Sequence, residues 1–167
     1  RLRAFGAWMQ SHTTITDTAR YVYNRYQDGD GIIYEGAQGK GLDIIDGTYP
    51  MTSSSFTATP QVGGWMPENV IPVAAVKAYD TMVGGGVLPA QIRNLEVAAK
   101  ICERGHEFGA STGRPRMAGW LDLVRLRDGL WRNGTGQKAI VFVTKLDILH
   151  SIASFVCDGY FLPADCV

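Results

Sequence analysis

Several stretches of the chain carry side chains whose types and spacing suit chemistry. Thr144-Lys145-Leu146-Asp147 follows an apolar run, so its aspartate stands where a strand should end. A carboxylate so placed accepts two hydrogen bonds from the N1–H and 2-amino group of guanine, a donor pair that adenine lacks. A charged bond of this kind contributes about 1.5–3 kcal/mol, and leaving it unmade with the wrong base costs a similar amount, so one aspartate can select guanine. The stem of Lys145 suits the face of a purine ring. Without a ligand, a lysine and an aspartate at a strand end are more often solvated or salt-bridged.

Ser111-Thr112-Gly113-Arg114-Pro115-Arg116 sets two guanidiniums two residues apart, in a loop stiffened by proline and loosened by glycine. Two such forks suit carboxylates or phosphates; the alternative is a surface loop whose arginines pair with neighbouring acids. Thr52-Ser53-Ser54-Ser55 gathers hydroxyls and backbone amides of the kind that surround a phosphate, or else forms a polar surface loop. Gly36, Gly39 and Gly41 let backbone approach a ligand closely, a weak signal on glycine alone. His12, His106 and His150 sit in contexts that suggest ordinary polar residues.

The elements that must position these groups read as an α/β alternation. Thr16 or Asp17 caps a helix through Ala19, Val22, Tyr23 and Tyr26, which Gly29 and Gly31 stop. A short strand is predicted at residues 31–34, a buried strand at 70–79, and loop at Gly84-Gly85-Gly86. Helical spacing runs over 90–103 and again over 120–131, and a β-type apolar run covers 138–143. Strands alternating with helices imply a largely parallel central sheet flanked by helices, with ligands at the carboxyl ends of the strands.

Composition sets bounds on function. With 46% hydrophobic and 19% charged residues the chain has enough apolar surface for a buried core. Lys plus Arg equals Asp plus Glu at 16 each, so no bulk field attracts nucleic acid or an anionic membrane, and an anionic ligand needs a local cluster. No apolar run approaches membrane-spanning length and no signal peptide is seen. Cys102, Cys157 and Cys166 show no metal-ligand spacing and suggest reduced thiols in a cytoplasmic protein, with a Cys157–Cys166 bridge the lesser alternative. Asn133-Gly134-Thr135 fits a glycosylation sequon but reads as a plain turn.

A set of motifs, taken in order, resembles the central blocks of the adenylosuccinate synthetase family. They are Glu35-Gly36-Ala37-Gln38-Gly39, Leu42-Asp43-Ile44, Gly47-Thr48-Tyr49-Pro50, Thr52-Ser53-Ser54, Lys77-Ala78-Tyr79, Glu107-Phe108-Gly109-Ala110-Ser111-Thr112-Gly113-Arg114, Gly119-Trp120-Leu121-Asp122 and Thr144-Lys145-Leu146-Asp147-Ile148-Leu149. The resemblance covers residues 31–149. It implies a fold similar to the P-loop NTPases, present in part, with residues 1–167 forming the central part of one domain. It also implies a cytoplasmic homodimer that uses GTP and magnesium to join L-aspartate to IMP.

In that family GTP phosphorylates the 6-oxygen of IMP, and the aspartate amine then displaces phosphate. By the resemblance, Gln38, Thr52, Val83 and Arg114 bind IMP: Gln38 assists at the 6-oxygen, Thr52 holds the 5′-phosphate and Val83 meets the ribose. Ala110, Ser111, Thr112, Gly113, Arg114 and Arg116 form the aspartate loop, and Arg116 with Lys145, Leu146 and Asp147 serves GTP. The family's phosphate loop with its catalytic aspartate, the histidine that follows it and the last guanine-binding stretch have no counterpart in this sequence. No catalytic or metal-binding residue is therefore assigned, and the stretch by itself is expected to be inactive.

Departures lie near the ribose site. Thr81-Met82-Val83-Gly84 has methionine where the family has arginine, Gly86-Val87-Leu88-Pro89-Ala90-Gln91 replaces Gly-Pro-Phe-Pro-Thr-Glu, and Ser55 replaces asparagine. They leave room for a phage-type enzyme that uses dGMP in place of IMP. A non-catalytic binding remnant is a further alternative, and a generic GTPase switch ranks last because it gives the arginine loop no role.

Overall fold

The computed structural model describes residues 1–13, 16–58, 67, 70–110, 112–133, 139–152 and 156–160. Ser111, Gly134, Thr135, Lys138 and Cys166 lie outside them. The chain divides into two compact units, residues 1–37 with 62–70, and residues 38–61 with 71–167.

The first unit carries helices α1 (Leu2–His12) and α2 (Thr18–Gln27). Along α1, Trp8 stacks on Phe5 at 6.0 Å and on His12 at 4.7 Å, the contacts expected at spacings of three and four. The expected cap of α2 is Asp17, whose carboxylate accepts from the Arg20 amide at 3.1 Å. The helix ends before Gly29, which stands at φ +94° where other residues are strained. Residues 31–34 form no strand, contrary to expectation: they find no ladder partner among the described residues, and Ile33 is 94% exposed.

In the second unit, β1 (Val73–Lys77) pairs in parallel with β4 (Ile140–Thr144). β2 (Tyr79–Met82) runs antiparallel to β3 (Met117–Asp122), which pairs in parallel with β5 (Val156–Cys157). The α/β class holds, and its sheet pairing is mixed. The single buried strand predicted over 70–79 is instead the whole of β1 followed by the first residue of β2, parted at Ala78. The chain changes partner there, the Ala78 amide still donating to Thr144 at 2.9 Å while Tyr79 pairs with Trp120.

Helix α3 (Leu95–Gly105) starts later than residue 90, because Gln91 bridges Gly119 and the Ile92 amide donates to Ala118. Asn94 then caps the helix, accepting from the amides of Glu96 and Val97. Helix α4 (Leu123–Arg132) likewise begins after the predicted start at 120, since Trp120 and Leu121 belong to β3. Asp122 ends that strand and caps the helix, accepting from the Arg125 amide at 3.0 Å. Tyr79, Ile92, Ile101, Cys102, Ala118 and Ile148 make the core of this unit, joining α3 to β2, β3 and the turn after β4. Cys102 and Cys157 are free thiols.

Residues 39–58 wrap around Asp43, which is fully buried. Its carboxylate accepts from the amides of Ile45 (2.8 Å), Asp46 (2.9 Å), Thr57 (2.6 Å) and Ala58 (3.1 Å). Burial alone would raise its pKa; these four donors outweigh burial and hold it well below the usual carboxylate range. Gly47 closes the turn where a Cβ would overlap the Asp43 backbone. Lys40 reaches Asp128 at 2.5 Å and Arg132 reaches Asp46 at 3.1 Å, fastening the segment to α4.

Replacing Asp43 with asparagine removes the charge and sets an amide against backbone donors. A loss of about 2–3 kcal/mol at neutral pH is expected. Because the folded pKa is depressed, the contribution is complete above the unfolded value near pH 4 and is lost as pH falls below it. Denaturant titrations should therefore show a gap between wild type and Asp43→Asn at pH 7 that narrows toward pH 3.

Candidate functional site

The strand pairing decides which loops meet. β1 and β4 are parallel with Lys77 opposite Thr144, so Lys77 and the segment Lys145 to Asp147 leave one end of the pair. Met82 pairs with Met117 in the antiparallel ladder, so Val83 and Arg116 leave a common end of β2 and β3. Val83 is 60% exposed there. In front of Gly86 stand Met82 Sδ and Met51 Cγ, 2.8 and 3.9 Å from where a Cβ would sit, so the chain beside Thr52 comes up against the turn after Val83. Gln38 is exposed and stands at φ +67°, a left-handed backbone uncommon for a residue with a side chain. Thr52 is half-buried.

The arginine loop is a closed turn. Phe108 and Pro115 form a bridge, the Gly109 amide donates to Arg114 O at 2.8 Å, and the Gly113 amide donates to Gly109 O at 2.8 Å. Gly113 takes φ +63°, and Gly109 lies where a Cβ would stand 2.6 Å from Thr112 Oγ1. Ala110, Thr112 and Arg114 are exposed, and the Arg114 guanidinium makes no hydrogen bond or ion pair among the described residues. Arg116 differs, because its Nη1 donates to Glu107 Oε2 at 3.0 Å.

Glu107 is the residue that sequence reasoning left without a role. It is 4% exposed and accepts from Lys77 Nζ (2.8 Å), Tyr79 Oη (2.9 Å) and Arg116 Nη1 (3.0 Å). Burial pushes its pKa up, but hydrogen bonds from Lys77 and Tyr79 and the charges of Lys77 and Arg116 prevail and hold it ionised below the ordinary glutamate range. Burial first, and then the bond to Glu107, push the Tyr79 phenol upward. Lys77 also donates to Thr81 Oγ1 at 2.5 Å. A carboxylate beside aromatic and basic positions is a weak sequence signal; the donors sit 30, 28 and 9 residues away and meet only in the fold.

After β4, Lys145 takes φ +63° and its Nζ donates to Gly105 O at 2.9 Å, at the carboxyl end of α3. Leu146 and Asp147 are exposed, and the Asp147 carboxylate makes no hydrogen bond or ion pair among the described residues. The histidines have structural duties: His12 stacks on Trp8, His106 ends α3 at φ +52°, and the His150 carbonyl accepts from Arg104. No group of three His, Cys, Asp or Glu side chains gathers as metal ligands among the described residues. None of their helices is long and apolar enough to cross a membrane.

Residues 3–165 match the family described as adenylosuccinate synthetase. Adenylosuccinate synthetase of Mesoplasma florum is 40% identical over 156 residues, which are 90% of this chain and 35% of that protein. The enzyme of that name from Actinobacillus succinogenes is 42% identical over 157 residues, covering 91% of this chain and 34% of its own. The structure of fully ligated adenylosuccinate synthetase from Plasmodium falciparum superposes with a TM-score of 0.74 at 30% identity, over 88% of this chain and 34% of that chain. The chain therefore spans about a third of the length of the curated relatives it matches. Motif order, α/β topology and a match along nearly all of its residues agree, and the chain belongs to the adenylosuccinate synthetase family.

Proposed function

We propose that the protein carrying this stretch is a GTP-dependent ligase that joins L-aspartate to IMP, and that these residues supply parts of its three substrate sites. One observation carries the reading: the charges around these strand ends are paired off, while Arg114 and Asp147 stand exposed without partners among the described residues. A charge left in water beside a built network is available for a ligand at little desolvation cost.

Asp147 accepts the N1–H and 2-amino hydrogens of guanine, with Lys145 and Leu146 beside it. Arg114 engages a carboxylate of aspartate, and Arg116 offers the part of its fork that Glu107 leaves unused. Ala110, Ser111, Thr112 and Gly113 add amide and hydroxyl donors; Ser111 lies outside the described residues. Thr52 takes the 5′-phosphate of IMP, Val83 borders its ribose, and the Gln38 amide bonds the 6-oxygen. Phosphorylating that oxygen converts a poor leaving group into a good one, and the amine of a held aspartate then displaces it. Magnesium is expected from the family, and no step is assigned to it here, since no group of three His, Cys, Asp or Glu side chains gathers among the described residues. A cytoplasmic homodimer is proposed on the family resemblance.

A second reading has its own observation. Met82 replaces an arginine of the family pattern, and its thioether packs against Gly86 beside Val83. A nonpolar wall there removes a cation from the ribose side of the pocket and suits a deoxynucleotide, which favours dGMP as acceptor. The complete gene product, assayed by absorbance with GTP, aspartate and either IMP or dGMP, distinguishes the two. Turnover with neither acceptor would leave a binding remnant.

Removing either uncommitted charge should act on the substrates assigned to it, Arg114 on aspartate and IMP, Asp147 on GTP. Arg114→Met is expected to raise KM for aspartate roughly 10- to 100-fold, the loss of a charge-assisted bond of about 1.5–3 kcal/mol, while KM for GTP changes little. Asp147→Asn should lower kcat/KM for GTP by a similar factor. Asparagine offers one acceptor and one donor, the complement of xanthine, so xanthosine triphosphate should regain part of the lost rate. No gain with that nucleotide would argue against Asp147 as the base reader.

A further inference from the structure

The end of α3 touches both candidate loops. Lys145 Nζ donates to Gly105 O at 2.9 Å, and Arg104 Nη1 donates to His150 O at 2.6 Å and Ile148 O at 3.4 Å. Two residues beyond the helix, the Glu107 carboxylate holds Arg116 Nη1 at 3.0 Å and its backbone carbonyl accepts the Arg116 amide at 2.9 Å. The Glu107 amide in turn donates to Cys102 O inside α3 at 2.8 Å, so the helix carries this residue directly.

Both loops need support of this kind. Lys145 has a left-handed backbone, costing a residue with a Cβ on the order of 1–2 kcal/mol, and such a conformation persists only where neighbouring bonds fix it. Within the segment the Ile148 amide donates to Lys145 O and the His150 amide to Asp147 O, and Ile148 packs in the core; the side-chain bonds that tie residues 145–150 to the end of α3 are those from Lys145 and Arg104. The arginine loop closes on itself, but its tie to the core runs through Arg116 and Glu107. Glu107 is buried, and Arg104 is engaged with backbone carbonyls, so each acts through another residue.

We infer that residues 104–107 are a positioning element with separable arms, Arg104 setting the 145–150 segment that reads the nucleotide base and Glu107 setting the arginine loop that holds the anionic substrate. The ligands assigned to the arms rest on the function proposed above; the bonds do not.

The test uses the complete gene product with Arg104→Met and Glu107→Gln, followed by steady-state kinetics and by amide hydrogen exchange. Arg104→Met should raise KM for GTP about tenfold with KM for aspartate held within about twofold, and Glu107→Gln should raise KM for aspartate about tenfold with a smaller rise for GTP, which Arg116 also serves. Exchange should quicken at residues 145–150 in the first variant and at residues 109–116 in the second. Tyr79→Phe, which takes one donor from Glu107 and no charge, should repeat the Glu107 pattern at smaller size if Glu107→Gln does not fold. Variants that loosen both loops together, or neither, would overturn the inference. Wild-type protein without GTP- and aspartate-dependent turnover would defeat the functional reading instead, and the exchange pattern would still decide whether the arms exist.

Discussion

The Glu107 carboxylate is taken almost wholly out of water, and the second unit is arranged to answer that charge. An ion moved into a protein interior loses several kcal/mol of hydration, which attraction repays only where geometry is good and the remaining lone pairs are bonded. Glu107 has a lysine from β1, a phenol from β2 and a guanidinium from the approach to β3. The phenol reaches it because residue 105 is glycine, where any Cβ would overlap the Tyr79 hydroxyl. One charge thus fixes the break between β1 and β2, the end of α3 and the way the arginine loop approaches the sheet.

Asp43 solves the same problem by other means. It meets its charge with backbone N–H groups and the Thr57 hydroxyl, and with no cation side chain among the described residues, so it organises a loop where Glu107 joins strands. The segment from Gly39 to Ala58 contains no strand and a single short turn of helix at Lys40–Leu42. It still holds a definite path, because its amides converge on one acceptor. A loop fixed in this way can present Thr52 at a set distance from the sheet without belonging to it, as the approach of Met51 to the turn after Val83 illustrates.

What the sequence made legible follows from the range of each signal. Asp17 capping α2 and the apolar run of β4 are local patterns, and both appear in the fold. α3 and α4 start later than the local pattern indicates because apolar residues just ahead of each, Ile92 and Trp120 to Leu121, fit a helical period equally well and are claimed by sheet pairing. Residues 31–34 have strand-like composition but join no ladder among the described residues. At the site, the positions of Asp147 and Arg114 could be read as charged residues in loops at strand ends. That Arg116 is half committed could not, because Glu107 meets its partners through pairings that no local pattern encodes.

Commitment separates the charges of this unit by use. Lys77, Glu107, Asp80, Arg125, Lys40, Asp128 and Arg132 are spent on one another, and their geometry is set before any ligand arrives. Asp80 shows the cost: burial raises its pKa, and the Arg125 charge recovers only part of the loss. Of this set Glu107 is buried, and removing one of its donors would strand part of its charge away from water. A geometry set in advance is what a neighbouring binding group needs, since a fork held in place loses little freedom when a carboxylate arrives. Arg116 stands at the boundary, with one arm in the network and another free of it. Arg114, two residues away and outside the network, then has its reach limited by the short turn that Gly109 and Gly113 close. The loop therefore roots one exposed cation at a backbone position set by the turn, open to an anionic group from solvent.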